Sequence, residues 1–457
     1  MTETMKKVKV IDSMPSTGKT CYMLDHINEM DFDIKVIFIT PFLSETERVR
    51  DACKKRKFKL PNKISGRGSK QNHLKDLLRR RENIASTHSL FSNIDDETIE
   101  LIRDGNYMLV LDEVMNVLEN FDIYNENQKS STDKKKPSLK NKEEARYEEQ
   151  KNLKKDMQTL IMNDFVHIDT YFKATWNNTS KYKDSLHLYD HLKQAMDKDQ
   201  IYFVSETYLL WIFPPQVFQN TFKEIYILTY QFEAQIQSYY FKFFDIPYEK
   251  YGVIKNRKDR RCKWEFSFVK YTDYLEYDCK KRKEMKELIT ICDSAKLNSI
   301  GTKDPDDKSK CELLSMSNYK SMQEDDFKMI TTKATSYLSH HLNDRSSTMI
   351  WTTFKDFQGK IKSARLPNTD FVAFNVRATN EYREKTSVLY LINRFANPFY
   401  KNLFNAKNIC FDEDAYGLAE MLQFIFRTAI REDKPIKVFV PSKRMRLLLI
   451  AWLDGQN

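Results

Sequence analysis

The chain has 457 residues, 41% of them hydrophobic and 13% aromatic, with a formal net charge of +10. That length suits two to three domains with sizeable cores, and the aromatic content excludes a largely disordered chain. The charge permits an anionic partner without requiring one; no apolar run approaches the ~18–20 residues that cross a bilayer, and no signal-peptide core follows the N-terminal charges, so a cytoplasmic protein without membrane contact is expected.

The most informative stretch comes first. Residues 8–11 are a short, mainly β-branched run, residues 12–18 a loop of mostly small residues, and Gly18-Lys19-Thr20 opens a segment with Met23, Leu24, Ile27 and Met30 at helical spacing. Strand, loop and helix in that order are what a phosphate-binding loop needs, because a helix N-terminus offers free N–H groups and partial positive charge. Ser16, Thr17, Gly18, Lys19 and Thr20 are the candidate phosphate ligands, with Lys19 reaching the β- and γ-phosphates of ATP and the Thr20 hydroxyl ligating Mg²⁺. The full pattern wants glycine where Ser13 stands. Glycine is scarce, at nine residues, so composition alone does not account for the Gly-Lys-Thr loop.

Residues 34–41 form a nearly continuous apolar run ending at Pro41, which predicts a strand buried on both faces, and residues 44–47 resemble a helix start. The basic stretch from Lys54 to Arg81 reads equally as solvated surface or phosphate contact. Residues 83–88 predict a short strand. Residues 107–113 are a second strong signal: apolar residues run into adjacent carboxylates, Asp112 and Glu113. Beside a phosphate loop, Asp112 would hold Mg²⁺ and Glu113 would orient the attacking water. Residues 124–156 turn to Lys, Glu, Asn and Ser, a flexible insertion or an exposed charged helix, and the stretch to Phe213 reads as folded and mostly helical. Residues 224–230 predict a strand returning to the first sheet, and a boundary is expected near Ile246-Pro247.

Beyond it, residues 264–270 predict a strand, residues 285–297 a helix and residues 301–310 a polar loop. Residues 349–353, 371–375 and 437–441 predict strands of a second α/β unit. Between the last two, Gln423, Arg427 and Arg431 stand four apart, on one face if the segment is helical. They read either as a solvated basic face or as an arginine finger aimed at a γ-phosphate. The seven cysteines are scattered without a C-x-x-C pair, which fits free thiols in a reducing compartment and argues against a zinc site.

This order of parts resembles superfamily 2 helicases of the DEAD/DEAH-like group, and most of all phage helicases and viral origin-binding helicases. Lys19-Thr20 matches the first motif and Asp112-Glu113-Val114-Met115 the second, while Gln423, Arg427 and Arg431 resemble the sixth, with Phe426 where the family has glycine and Arg431 one place late. Ser16 stands where helicase loops often carry a second glycine. Thr40-Pro41, Ser86-Thr87-His88, Leu228-Thr229-Tyr230, Trp351-Thr352-Thr353 and the stretch from Arg377 to Glu381 fall where the remaining motifs belong. The resemblance implies an α/β fold of two RecA-like P-loop domains in tandem, residues 1–245 and 246–457, with a largely helical insertion at about 124–213. It implies ATP and Mg²⁺ as cofactors, and Glu113, Arg427 and Arg431 as catalytic residues. Thr40, Pro41, Thr87, Thr352 and Arg377 would grip nucleic acid, single-stranded or forked DNA, with replication proteins as further partners. A DNA helicase or translocase is the first reading; an ATP-switched origin-binding or loading factor is the alternative.

Overall fold

A computed structural model describes residues 7–63, 68–123, 139–177, 189–257, 264–300, 313–340, 348–375 and 381–456. In chain order its strands are β1 (Val8–Asp12), β2 (Lys35–Thr40), β3 (Ile84–Thr87), β4 (Tyr107–Asp112), β5 (Leu118–Asn120), β6 (Val166–Ile168), β7 (Ala174–Trp176) and β8 (Ile201–Ser205). Then follow β9 (Tyr208–Ile212), β10 (Glu224–Thr229), β11 (Tyr248–Arg257), β12 (Trp264–Lys270), β13 (Ile289–Ile291), β14 (Met349–Thr352), β15 (Ser387–Tyr390) and β16 (Ile436–Phe439).

Two parallel sheets organise the chain into tandem α/β units. The first has the order β12-β11-β1-β10-β4-β2-β3, parallel except for the edge pair β11–β12. The second has the order β13-β16-β15-β14, all parallel. Every residue of β4 is buried, as a strand covered on both faces requires; its one carboxylate, Asp112, is its last residue, and Glu113 follows at once. The C-terminal end of β4 lies beside that of β1, because β10 alone separates the two strands.

Three details differ from the pattern-based expectations. The boundary expected near Ile246-Pro247 falls inside the first sheet, since β11 follows at once and pairs in parallel with β1. The strand expected at 371–375 is only a single bridge between Phe371 and Trp351; the sheet position beside β14 is taken by β15, whose four residues are all buried. The helix expected over 285–297 is an earlier one, Tyr271–Leu288, and Ile289–Ile291 then enters the second sheet. In the insertion, the helices Leu139–Met162 and Asp190–Asp197 outweigh the strands, yet β8 and β9 also form an antiparallel hairpin that carries β5. The polar loop expected at 301–310 lies outside the described residues.

The basic stretch after Lys54 contains one structural residue. Arg56 is buried and donates to the carbonyls of Ile27, Ile34, Met30 and Asp31, a cation set at the C-terminal end of the helix Lys19–Glu29.

The units meet along two seams. On one, Met14 and Tyr230 of the first unit join the second unit's core, and Trp452 Nε1 donates to Tyr230 Oη at 3.1 Å. On the other, the segment around the helix Pro398–Asn405 packs on the first unit. Phe399 stacks on Tyr208 at 3.9 Å between centroids, Phe411 lies 4.4 Å from Tyr239, and Asn397 Nδ2 donates to Tyr208 Oη at 3.0 Å.

Candidate functional site

The loop after β1 is built by three local constraints. Gly18 has φ +91°, the left-handed region open to glycine, and the Phe266 ring lies where a Cβ would stand, so no side chain fits there. Ser16 takes φ +69° although it is not glycine, a conformation costing of order 1 kcal/mol that the surrounding structure must impose. Ser13 is fully buried, and its Oγ accepts from Val253 N at 2.8 Å. The serine that replaces a glycine at the head of the motif therefore ties the loop to β11, a purpose glycine lacks the atom for.

The helix Lys19–Glu29 then begins directly at the loop. Lys19 is buried; its Nζ donates to the Ser13 carbonyl at 2.5 Å and to that of Met14 at 3.3 Å. Burial lowers its pKa, opposed by the carboxylates of Glu113, Asp112 and Asp12. Thr20 Oγ1 donates to Asp112 Oδ1 at 3.2 Å, which joins the first motif to the second across the sheet. Glu113 sits at φ +70° immediately past β4, its N–H bonded to Leu228 O at 2.9 Å and its Oε2 accepting from Thr229 Oγ1 at 3.3 Å. The paired hard oxygens of Thr20 and Asp112 are donors of the kind Mg²⁺ takes.

Asp112 has its carboxyl pushed up to about 7, first by burial and then by the neighbouring charge of Glu113. Asp12, which accepts from Gln231 N at 2.7 Å and Phe232 N at 3.1 Å, is raised to about 6, chiefly by burial. A carboxyl that is harder to ionise folded than unfolded binds the extra proton in the folded state. Its contribution therefore favours folding at low pH and is lost as pH rises from about 4 through about 7. Asp112→Asn removes the ionisation, so in metal-free buffer this variant should gain stability over the parent at pH 8, by on the order of 4 kcal/mol at most, and little at pH 4. Urea unfolding at the two pH values measures the difference.

The second unit faces the same place. A cleft of about 350 Å³ is lined by Ser16, Lys19, Thr20, Asp112 and Glu113 from the first unit and by Gln423, Arg427 and Arg431 from the second. The three late residues do not share one helix, as their spacing implied. The helix Glu413–Ile425 ends at Phe426, and Arg431 lies on the separate 3-10 turn Ala429–Glu432. The chain nevertheless turns back so that all three reach the cleft. Arg427 is buried, its Nη1 and Nη2 each donating to Phe374 O at 3.3 Å. Arg431 has its pKa lowered by burial and by Arg383, with Glu113 acting in the opposite sense.

A second groove, of about 700 Å³, also runs between the units and includes Pro41, His88, Gln237, Arg394 and Gln423. Gln423 lines both spaces. The His88 Nε2–H donates to the Asp112 carbonyl at 3.1 Å, since a carbonyl can only accept. Thr40 and Thr352, expected to touch a phosphate backbone, are instead fully buried at strand ends, with the Thr40 hydroxyl donating to Phe42 O at 2.9 Å. Thr87 caps the short helix His88–Phe91 by accepting from Leu90 N at 3.4 Å. Arg377 lies outside the described residues.

Over 463 aligned residues the chain is 34% identical to the SPbeta prophage-derived protein YonV of Bacillus subtilis strain 168, covering 99% of this chain and all of that one. The chain belongs to the YonV family. Residues 283–453 match the family described as the YonV C-terminal Rossmann-like domain, a span that takes in all four strands of the second sheet. Among solved structures, the chain is similar to Xpd4 of S. tokodaii at 12% identity and a TM-score of 0.39, over 98% of this chain and 94% of that one. It is also similar to the DUF1998 helicase MrfA bound to DNA and AMPPNP, at 7% identity and a TM-score of 0.29, over 99% of this chain and 48% of that one.

In this YonV-family chain the cleft also holds residues that no motif announces. Arg48, paired with Glu45 at 2.8 Å, and Arg383, paired with Glu432 at 3.4 Å, add two cations, and Lys255, Trp264 and Phe266 of the β11–β12 hairpin add a wall. The only sequence signal for the arginines was their charge, and for the hairpin its β-propensity. Among the described residues no helix is long and apolar enough to cross a membrane.

Proposed function

We propose that this YonV-family chain is an ATP-hydrolysing nucleic-acid motor of the helicase or translocase type, acting on DNA in replication or repair. One observation carries the reading: Lys19, Thr20, Asp112 and Glu113 share a single cleft with Arg427 and Arg431, although more than 300 residues separate the two groups. A cleft with an early lysine loop, a carboxylate pair and late arginines suits a triphosphate held between two α/β units. Ser16 to Thr20 bind the phosphates. Thr20 and Asp112 would hold Mg²⁺, which would supply charge neutralisation when bound. Glu113 orients the attacking water and accepts its proton, and Arg427 with Arg431 stabilises the charge that builds on the transferred group. Gln423 joins this cleft to the larger groove, where the nucleic acid would lie against Pro41, His88 and Arg394, contacted through its backbone and with weak sequence selectivity.

The test is ATP hydrolysis by the full chain with and without single-stranded DNA. Stimulation by DNA, lost as salt rises, is expected; a rate indifferent to both DNA and RNA would remove the motor reading. The two seams favour a second reading, an ATP-switched loading or origin-binding factor, because they tie the units together at two places. Such a factor would hold ATP with slow turnover and leave a forked duplex intact.

A further inference from the structure

We propose that the β11–β12 hairpin is the base-binding wall of the cleft, with Trp264 as its stacking platform. The proposal rests on the nucleotide reading above and names the part of the ligand that reading leaves unassigned. Side chains two apart on a strand share a face, so Trp264 and Phe266 point the same way. Phe266 is seated on Gly18, which fixes the hairpin against the phosphate loop, and Lys255 is its cross-strand partner. Trp264 therefore stands one step out from the loop, in the lining of the same cleft.

The indole is 49% exposed, although the first sheet buries most of its large apolar side chains. Lys255 Nζ lies 4.1 Å from the centre of its ring, a cation–π contact that holds the ring in place from the adjacent strand. Phe426, the remaining aromatic of the lining, is buried against Trp452. Trp264 is thus the aromatic surface the cleft offers to a flat ring. An indole face reads no donor–acceptor pattern on a base edge, and the Lys255 ammonium is turned to the indole ring. The ligand class is accordingly a nucleoside triphosphate recognised by its phosphates and by stacking, with adenine and guanine both accepted.

Isothermal titration of the full chain with a non-hydrolysable ATP analogue, the matching GTP analogue and inorganic tripolyphosphate, all with Mg²⁺, tests this. Trp264→Ala should weaken both nucleotides by about 5- to 150-fold, the size of one base–aromatic stack, and leave tripolyphosphate binding unchanged. Trp264→Phe should retain most of the affinity. A Trp264→Ala chain that binds the ATP analogue as the parent does, or that loses tripolyphosphate equally, overturns the proposal while the nucleotide reading stands. A parent chain that binds none of the three overturns both.

Discussion

Lys19→Ala is expected to abolish ATP hydrolysis, lowering kcat by about a thousandfold or more, and to make folding more sensitive to pH. The first effect follows from position: Lys19 is the cation at the start of the helix Lys19–Glu29, in the lining of the cleft. The second follows from its neighbours. The ammonium is buried and influenced by Asp12, Asp112 and Glu113. Removing one member of a buried charge group leaves the others uncompensated, at a cost of roughly 3–5 kcal/mol when they are ionised. At pH 8 the variant should therefore unfold at clearly lower urea than the parent. At pH 4, where Asp112 and Asp12 carry protons, most of that gap should close. Full activity in Lys19→Ala would remove the phosphate role; an equal stability loss at both pH values would remove the charge-balance account.

Arg427→Ala should lower kcat by about a thousandfold with little change in nucleotide affinity, because a finger acts on charge that appears only in the transition state. The guanidinium is already held by two hydrogen bonds to the Phe374 carbonyl and lies over the Phe424 ring, at 5.3 Å from its centre. Its position is set by the second unit before any ligand arrives. Arg427→Lys keeps the charge but not the planar fork, so it should recover only part of the rate. Steady-state kinetics separates kcat from KM, and titration with a non-hydrolysable analogue checks that binding survives. A normal kcat in Arg427→Ala would end its assignment as a finger.

The parts of this architecture that were legible in the sequence are those whose chemistry is local. A buried strand reads as a continuous apolar run, so β1, β2 and β4 and the carboxylates at the end of β4 could be placed from their own residues. A loop entering a helix also carries its own signature. What could not be read depends on partners distant in the chain. Phe371–Asn375 and Ser387–Tyr390 are both short and largely apolar, and only the pairing with β14 and β16 decides which one is a strand. The spacing of Gln423, Arg427 and Arg431 implied one helical face, whereas the helix stops at Ile425 and the chain beyond it brings the arginines to the cleft that Gln423 also lines. Ser13 read as a defect in the motif, and its bond to Val253, 240 residues away, gives it a structural purpose. Trp264 carried no motif, because its place in the cleft is set by Phe266 resting on Gly18.

The second seam has a consequence for how the two units move. Leu403 and Phe404 are fully buried in the same apolar cluster as Tyr239, Tyr240 and Phe243 of the first unit, and Phe404 lies 5.6 Å from Tyr239. Fully exposing one such side chain costs about 1.5–3 kcal/mol, and a wide swing would expose several together. Excursions that keep the aromatic rings in contact are far cheaper. The scaffold therefore favours a short slide of one unit along the other over a clamshell opening.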